Sequence, residues 1–144
     1  MAEAVFQDMV NKAGLSDEIE VDSAGTGHWH VGQPAHIGTL NILRANGIPY
    51  KGRARQLERQ DLDDFDYVLV MDRENLTTVR QYTRGTSAEV SLFLRYARDA
   101  GLIDTDVVPD LYYDNTFGNV YKLVTLGSKA LLDHIRREHQ LQAQ

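Results

Sequence analysis

The chain has 144 residues, 42% of them hydrophobic and 25% charged, which suits one globular domain over residues 1–144 with a single core and leaves no room for a second. Its 15 Lys and Arg against 21 Asp and Glu give a net charge of −6, which argues for no nucleic acid and no membrane surface as partner. With no cysteine anywhere, there is no disulfide, no thiolate metal site and no cysteine nucleophile.

Ala2 to Gly14 places Val5, Phe6, Met9 and Val10 at i, i+3, i+4 spacing, so an amphipathic helix is expected there, ended by Gly14. Met1-Ala2-Glu3-Ala4 lacks the basic start and apolar stretch of a signal peptide, and no run reaches the length of a membrane span, so a cytoplasmic location is expected. Ile19-Glu20-Val21 alternates like a short strand and leads into the turn-rich Asp22 to Gly27. A second helix is expected over His36 to Asn46, with Leu40, Leu43 and Ile37 inward and Gly47 and Pro49 closing it. Arg53 to Arg59 is polar and ambiguous. Asp66 to Asp72 is a nearly continuous apolar run bounded by charge, the pattern of a strand buried on both faces of a parallel sheet. Arg73 to Tyr82 reads as helix, Glu89 to Leu94 as strand, Arg95 to Asp106 as irregular, and Phe117 to Glu138 as a long amphipathic helix. Strands alternating with helices indicate an α/β fold with a parallel sheet.

Short motifs carry less. Gly25-x-Gly27 lacks the third glycine of a dinucleotide loop, since His30 stands there, and no phosphate-binding G-x-x-x-x-G-K-[ST] run occurs. His28, His30 and His36 could meet around a metal, and the cluster Asp61, Asp63, Asp64 and Asp66 is a weaker alternative, but surface histidines on a loop are the simpler reading of the first. Ser23 lies outside any G-x-S-x-G elbow, so a hydrogen-bonding role at a strand end suits it better than nucleophilic attack. Asp61 to Asp64 reads as a capped, solvated helical turn. Asp110 follows Pro109 and precedes two tyrosines, so aromatic walls beside its carboxyl group would favour the protonated form that a general acid needs.

Taken in order, these segments resemble the low-molecular-weight protein tyrosine phosphatases. The resemblance is carried by Met1 to Phe6, Val21-Asp22-Ser23-Ala24-Gly25-Thr26, Trp29 to Gly32, Gly47-Ile48, Ala54-Arg55-Gln56, Phe65 to Asp72, Asp110-Leu111-Tyr112-Tyr113 and the last helix. It implies a phosphotyrosine protein phosphatase I-like fold, a three-layer parallel sheet flanked by helices. It also implies hydrolysis of phosphotyrosine in proteins or of small aryl phosphates, through a cysteinyl-phosphate intermediate and without a metal or organic cofactor. The family's Cys-x5-Arg loop and the strand before it precede the residue matching Met1, so both are missing from these residues and the first central strand of the sheet with them. By the same resemblance Asp110 is the general acid, and Trp29, Tyr112 and Tyr113 receive the substrate's ring. Ser23 and Asp72 support the phosphate loop and would be orphaned here. Leu111 stands where proline is common, and Gly52 where several members carry histidine, a change expected to matter little.

Three expectations follow. The activity is expected to be absent from these residues alone, with the missing segment encoded just upstream as the favoured account. A non-catalytic remnant that binds a phosphoprotein or a partner subunit, and an arsenate-reductase-like relative, are the alternatives. The sheet is expected to carry a slot between Ile19–Val21 and Asp66–Met71, which leaves the chain molten or prone to aggregate unless strands close the gap or another chain fills it.

Overall fold

A computed structural model of the protein describes residues 1–25, 37–48, 50, 52, 55–81, 88–108 and 117–141. The first helix, α1 (Ala2–Lys12), buries Ala4, Val5, Phe6 and Val10, the stripe expected of its spacing. It ends where Gly14 takes φ +72, a conformation that costs glycine little. Helix α2 (Ile37–Ala45) buries Thr39 and Leu43. Ile37 is 62% exposed, contrary to the inward place expected of it, because it begins the helix on the side facing away from the core.

A single turn, α3 (Asp61–Asp64), precedes strand β1 (Tyr67–Val70), and helix α4 (Arg73–Arg80) leads to strand β2 (Glu89–Leu92). The strands run parallel in the register Tyr67 to Glu89 through Val70 to Leu92. Helix α5 (Arg95–Asp99) occupies part of the stretch expected to be irregular. It buries Tyr96 and Ala97 while its arginines stay exposed, so five residues suffice where tertiary packing holds them. Helix α6 (Phe117–Glu138) has the bounds that its periodicity indicates.

Alternation along the strands divides the interior into two cores. Val68, Val70, Val90 and Leu92 meet Leu62, Leu76 and Val79 of α3 and α4. Tyr67, Leu69, Met71 and Phe93 face the larger core of α1, α2, α5 and α6. Helices therefore cover both faces of a parallel sheet, the three-layer α/β arrangement. The contact of α6 with the end of β2 is close: a Cβ on Gly127 would stand 2.6 Å from Leu94 Cδ2 and 2.8 Å from Phe93 Cε1. Glycine is poor in a helix interior, and here it is what lets α6 lie against the sheet.

Residues 19–21, expected as a strand, form none. Extended backbone becomes a strand only by pairing, and among the described residues no neighbour offers a ladder to this segment. Nearby, Gly25 makes one isolated parallel bridge with Gln56, in which its N–H donates to Arg55 O at 2.8 Å and its carbonyl accepts from Leu57 N at 2.7 Å. No helix among the described residues is long and apolar enough to cross a membrane.

Candidate active site

Beside β1, on the edge away from β2, lies a cavity of about 690 Å³. Its sides are β1 itself and residues 18–25; Phe6, Leu131 and Ile135 of α1 and α6 and Leu57 and Val79 from the other layer complete it. This is the place where the slot was expected, and the remaining strands have not closed it. The end of the cavity at the carboxyl terminus of β1 carries Ser23, Ala24, Gly25, Arg55, Asp61, Met71 and Asn75. In open parallel sheets, ligands bind outside the carboxyl ends of strands.

The polar groups at this end are tied to one another. Ser23 Oγ donates a short hydrogen bond to Glu3 Oε1, and the same oxygen accepts from Tyr50 Oη at 3.0 Å. Burial, together with the bond to the Glu3 carboxylate, pushes the Tyr50 phenol up to about 12. Arg55 grips Asp61 with both terminal nitrogens, at 3.0 and 3.1 Å, and reaches Asp22 Oδ2 from Nε at 3.1 Å. The hydrogen bond from Arg55 is the main cause that holds the Asp61 carboxyl below its usual range, opposed by burial and helped by the Glu58 backbone N–H. Asp61 is thus an ion-paired anchor rather than part of a solvated turn, whereas Asp63 and Asp64 are exposed as expected.

Of the six residues singled out for the site, two lie among the described ones. Neither Ser23 nor Asp72 is orphaned: Ser23 has Glu3, and Asp72 caps α4 by accepting the Asn75 N–H at 2.8 Å. Trp29, Asp110, Tyr112 and Tyr113 lie outside the described residues, as do His28, His30, His36 and Leu111. The approach to Asp110 is anchored, however. Asp106 is buried, accepts from Arg73 at 3.0 Å and forms a short ion pair with Arg98, and two residues later Val108 N–H donates to Met71 O at 2.8 Å. The chain is therefore pinned to the carboxyl end of β1 just before Pro109.

Sequence reading missed Glu3, Tyr50 and the Asp106 clasp. It also undervalued Gly52, where a Cβ would stand 2.1 Å from Tyr50 Oη. A histidine there would displace the phenol from Glu3, so the departure at Gly52 has a structural consequence after all. The one available signal was charge: Asp106 directly precedes Val107-Val108 and Arg98 directly follows Tyr96-Ala97.

Chemically, the described end of the cavity holds carboxylates, one hydroxyl and one arginine already neutralised by two aspartates. The cavity as a whole is lined by seven carboxylate side chains against that single arginine. Such an arrangement repels a phosphate dianion and offers no thiolate.

The family model described as "Low molecular weight phosphotyrosine protein phosphatase" matches residues 1–141. The low molecular weight protein-tyrosine-phosphatase YfkJ of Bacillus subtilis is 46% identical over 98% of this chain and 90% of its own length. The low molecular weight protein-tyrosine-phosphatase PtpA of a Staphylococcus epidermidis strain is 36% identical over 98% of this chain and 88% of its own. The crystal structure of B. subtilis YfkJ superposes with a TM-score of 0.89 at 43% identity, covering 95% of this chain and 86% of that one.

Proposed function

Because the chain belongs to the low molecular weight phosphotyrosine protein phosphatase family, we propose that its 144 residues form the scaffold of a phosphotyrosine monoesterase site and do not turn over a phosphate ester by themselves. The observation that carries this is the absence of any cysteine. In the cysteinyl-phosphate route the thiolate attacks phosphorus, the bond from phosphorus to the aryl oxygen breaks, and an acid protonates the departing phenolate; water then hydrolyses the thiophosphate ester. Without a cysteine thiolate the first bond cannot form.

In this reading Asp110 is the acid and Trp29, Tyr112 and Tyr113 receive the substrate ring. Ser23 and Asp72 brace the loop that would hold the phosphate. This reading is supported by the clasp at Asp106 and the Val108 bond to Met71, which bring the chain to the carboxyl end of the sheet two residues before Asp110 in sequence. A phosphotyrosine protein or a small aryl phosphate is the substrate class, in the cytoplasm, once a thiolate and an anion-binding arginine are supplied from outside these residues. The arsenate-reductase alternative needs a cysteine too and has no support here.

The test is an assay of the 144-residue chain with an aryl phosphate and a phosphotyrosine peptide. Hydrolysis is expected at the buffer rate, and orthovanadate is expected to leave the melting temperature unchanged; loss of a catalytic nucleophile costs roughly 10⁶ in turnover in well-studied hydrolases. Turnover that persists in the purified chain and falls with Ser23→Ala would overturn the reading. Adding the missing segment should restore activity, and Asp110→Asn should then slow poor leaving groups more than good ones.

A further inference from the structure

With Asp110 as the general acid, the reading on which this rests, we infer that Asp106 is its positioning residue. Clasped by Arg73 and Arg98, the Asp106 side chain fixes the point from which the chain leaves the sheet toward Asp110.

Asp106 is 8% exposed, and a carboxylate is rarely buried unless it is paired. Two guanidinium groups from different helices pair with it. Arg73, the first residue of α4, gives Nη2 to both Asp106 oxygens at 3.0 Å, and Arg98 of α5 gives Nη1 to Oδ2 in a short bond. Helix α4 follows β1 and α5 follows β2, so one carboxylate ties together the carboxyl ends of both strands. Replacing a buried ion pair by packed apolar side chains often costs no stability, so the clasp is explained better by the geometry it fixes.

What it fixes comes next in the chain. Thr105 Oγ1 accepts from Val107 N–H at 3.1 Å, and Val108, buried in the larger core, donates its N–H to Met71 O at 2.8 Å. Met71 directly follows β1, and Asp72 after it caps α4. Asp110 is two residues beyond Val108 in sequence, a length of chain that spans at most about 7 Å. Proton transfer demands far finer placement, with donor and acceptor within about 3.2 Å and a displacement of about 1 Å costing roughly a hundredfold. A carboxyl group so few residues past its last anchor depends on that anchor for its position. In the step concerned, the thiolate–phosphorus bond forms, the bond from phosphorus to the aryl oxygen breaks, and the Asp110 proton passes to that oxygen. Asp106 exchanges no atom or proton with the substrate.

The 144-residue chain supplies the first measurement. Asp106→Asn should speed exchange of the Val108 amide about tenfold relative to the Glu89 amide, whose bond to Asp66 O closes the opposite end of the ladder. Arg73→Gln should do the same, and because the Arg73 side chain is 67% exposed its loss leaves the core packed and Asp106 still paired with Arg98. Kinetics follow with the missing segment restored, with phenyl phosphate as the poor leaving group and a dinitrophenyl phosphate as the good one. Asp110→Asn should slow the poor leaving group by about 10²–10⁴ and the good one far less. Asp106→Asn and Arg73→Gln should show the same bias at about tenfold with KM nearly unchanged, and Arg73→Lys, which offers one nitrogen in the same way, should recover part of the loss. In the Asp110→Asn background, Asp106→Asn should add no further bias, because both act through one carboxyl group.

Unchanged Val108 exchange, equal slowing of both leaving groups by the Asp106 and Arg73 variants, or full additivity with Asp110→Asn would leave the clasp a purely structural contact. Each of these overturns the inference and leaves the acid in place. A restored chain without activity, or one in which Asp110→Asn slows both leaving groups alike, would instead remove the acid and the inference with it.

Discussion

The two edges of β1 form one comparison within the molecule. Toward β2 the backbone is paired, and beyond it Phe93, Leu94, Tyr96 and Ala97 are buried against α6. Toward residues 18–25 the same strand faces a cavity, and Tyr67, Val68 and Leu69 remain only partly buried although their sequence is that of a strand covered on both faces. The difference teaches that the helices of this fold are held mainly by one another and by β2. Helix α1 keeps its place on α6 while the sheet between it and α4 is incomplete.

The largest effect expected from this comparison is in paired truncations. Leu94→Ala on the closed side, where the side chain is fully buried, should cost about 2–5 kcal/mol. Leu69→Ala at the open edge should cost less than about half as much, because the cavity already deprives that side chain of part of its packing. Urea unfolding of the two variants measures both, and equal losses would show that the edge is closed in solution.

A smaller effect separates two glycines of α6. Gly127→Ala places a methyl group against Leu94 and Phe93 and should destabilise by about 1–3 kcal/mol despite the better helix former. Gly118, with nothing within 4 Å of the added Cβ, should accept alanine with no loss or a gain of up to about 1 kcal/mol. Melting temperatures that move in opposite directions would sharpen the contrast, and a shared direction would break it.

The smallest effect is in alkali. Tyr50 at the open side and Tyr96 on the closed side are both held near 12, chiefly by burial and then by hydrogen bonds to Glu3 and Glu89. A phenol whose pKa is raised on folding stabilises the fold fully below its ordinary value near 10 and loses that contribution as pH rises through the folded value. Stability should therefore fall between about pH 10 and 12, and less steeply in Tyr50→Phe. Ultraviolet titration should show Tyr50 and Tyr96 ionising late, with the late amplitude reduced by one tyrosine in that variant; Gly52→His should release Tyr50 in the same way.

Much of the architecture was legible because it is local. The stripe of Val5, Phe6 and Val10, the long period of α6 and the apolar run of β1 each state their element in consecutive residues, and the absence of cysteine is read without any coordinates. Helix α5 was not legible, since five residues cannot display a helical period, and neither was the failure of Ile19-Glu20-Val21 to become a strand, since alternation describes a strand's faces and not its neighbours. The site divides along the same line. Ser23 and Asp72 could be named from their segments, but Glu3 lies 20 positions from Ser23 and 47 from Tyr50, and Asp22 lies 33 from Arg55. Sequence by itself therefore determined the longer helices, the family and the absence of a cysteine. Tertiary structure alone decided which charges neutralise one another, which glycines must stay glycine and which edge of β1 stands open, because hydrogen bonds, ion pairs and packing depend on distance in space, and that distance is set only when the chain closes on itself.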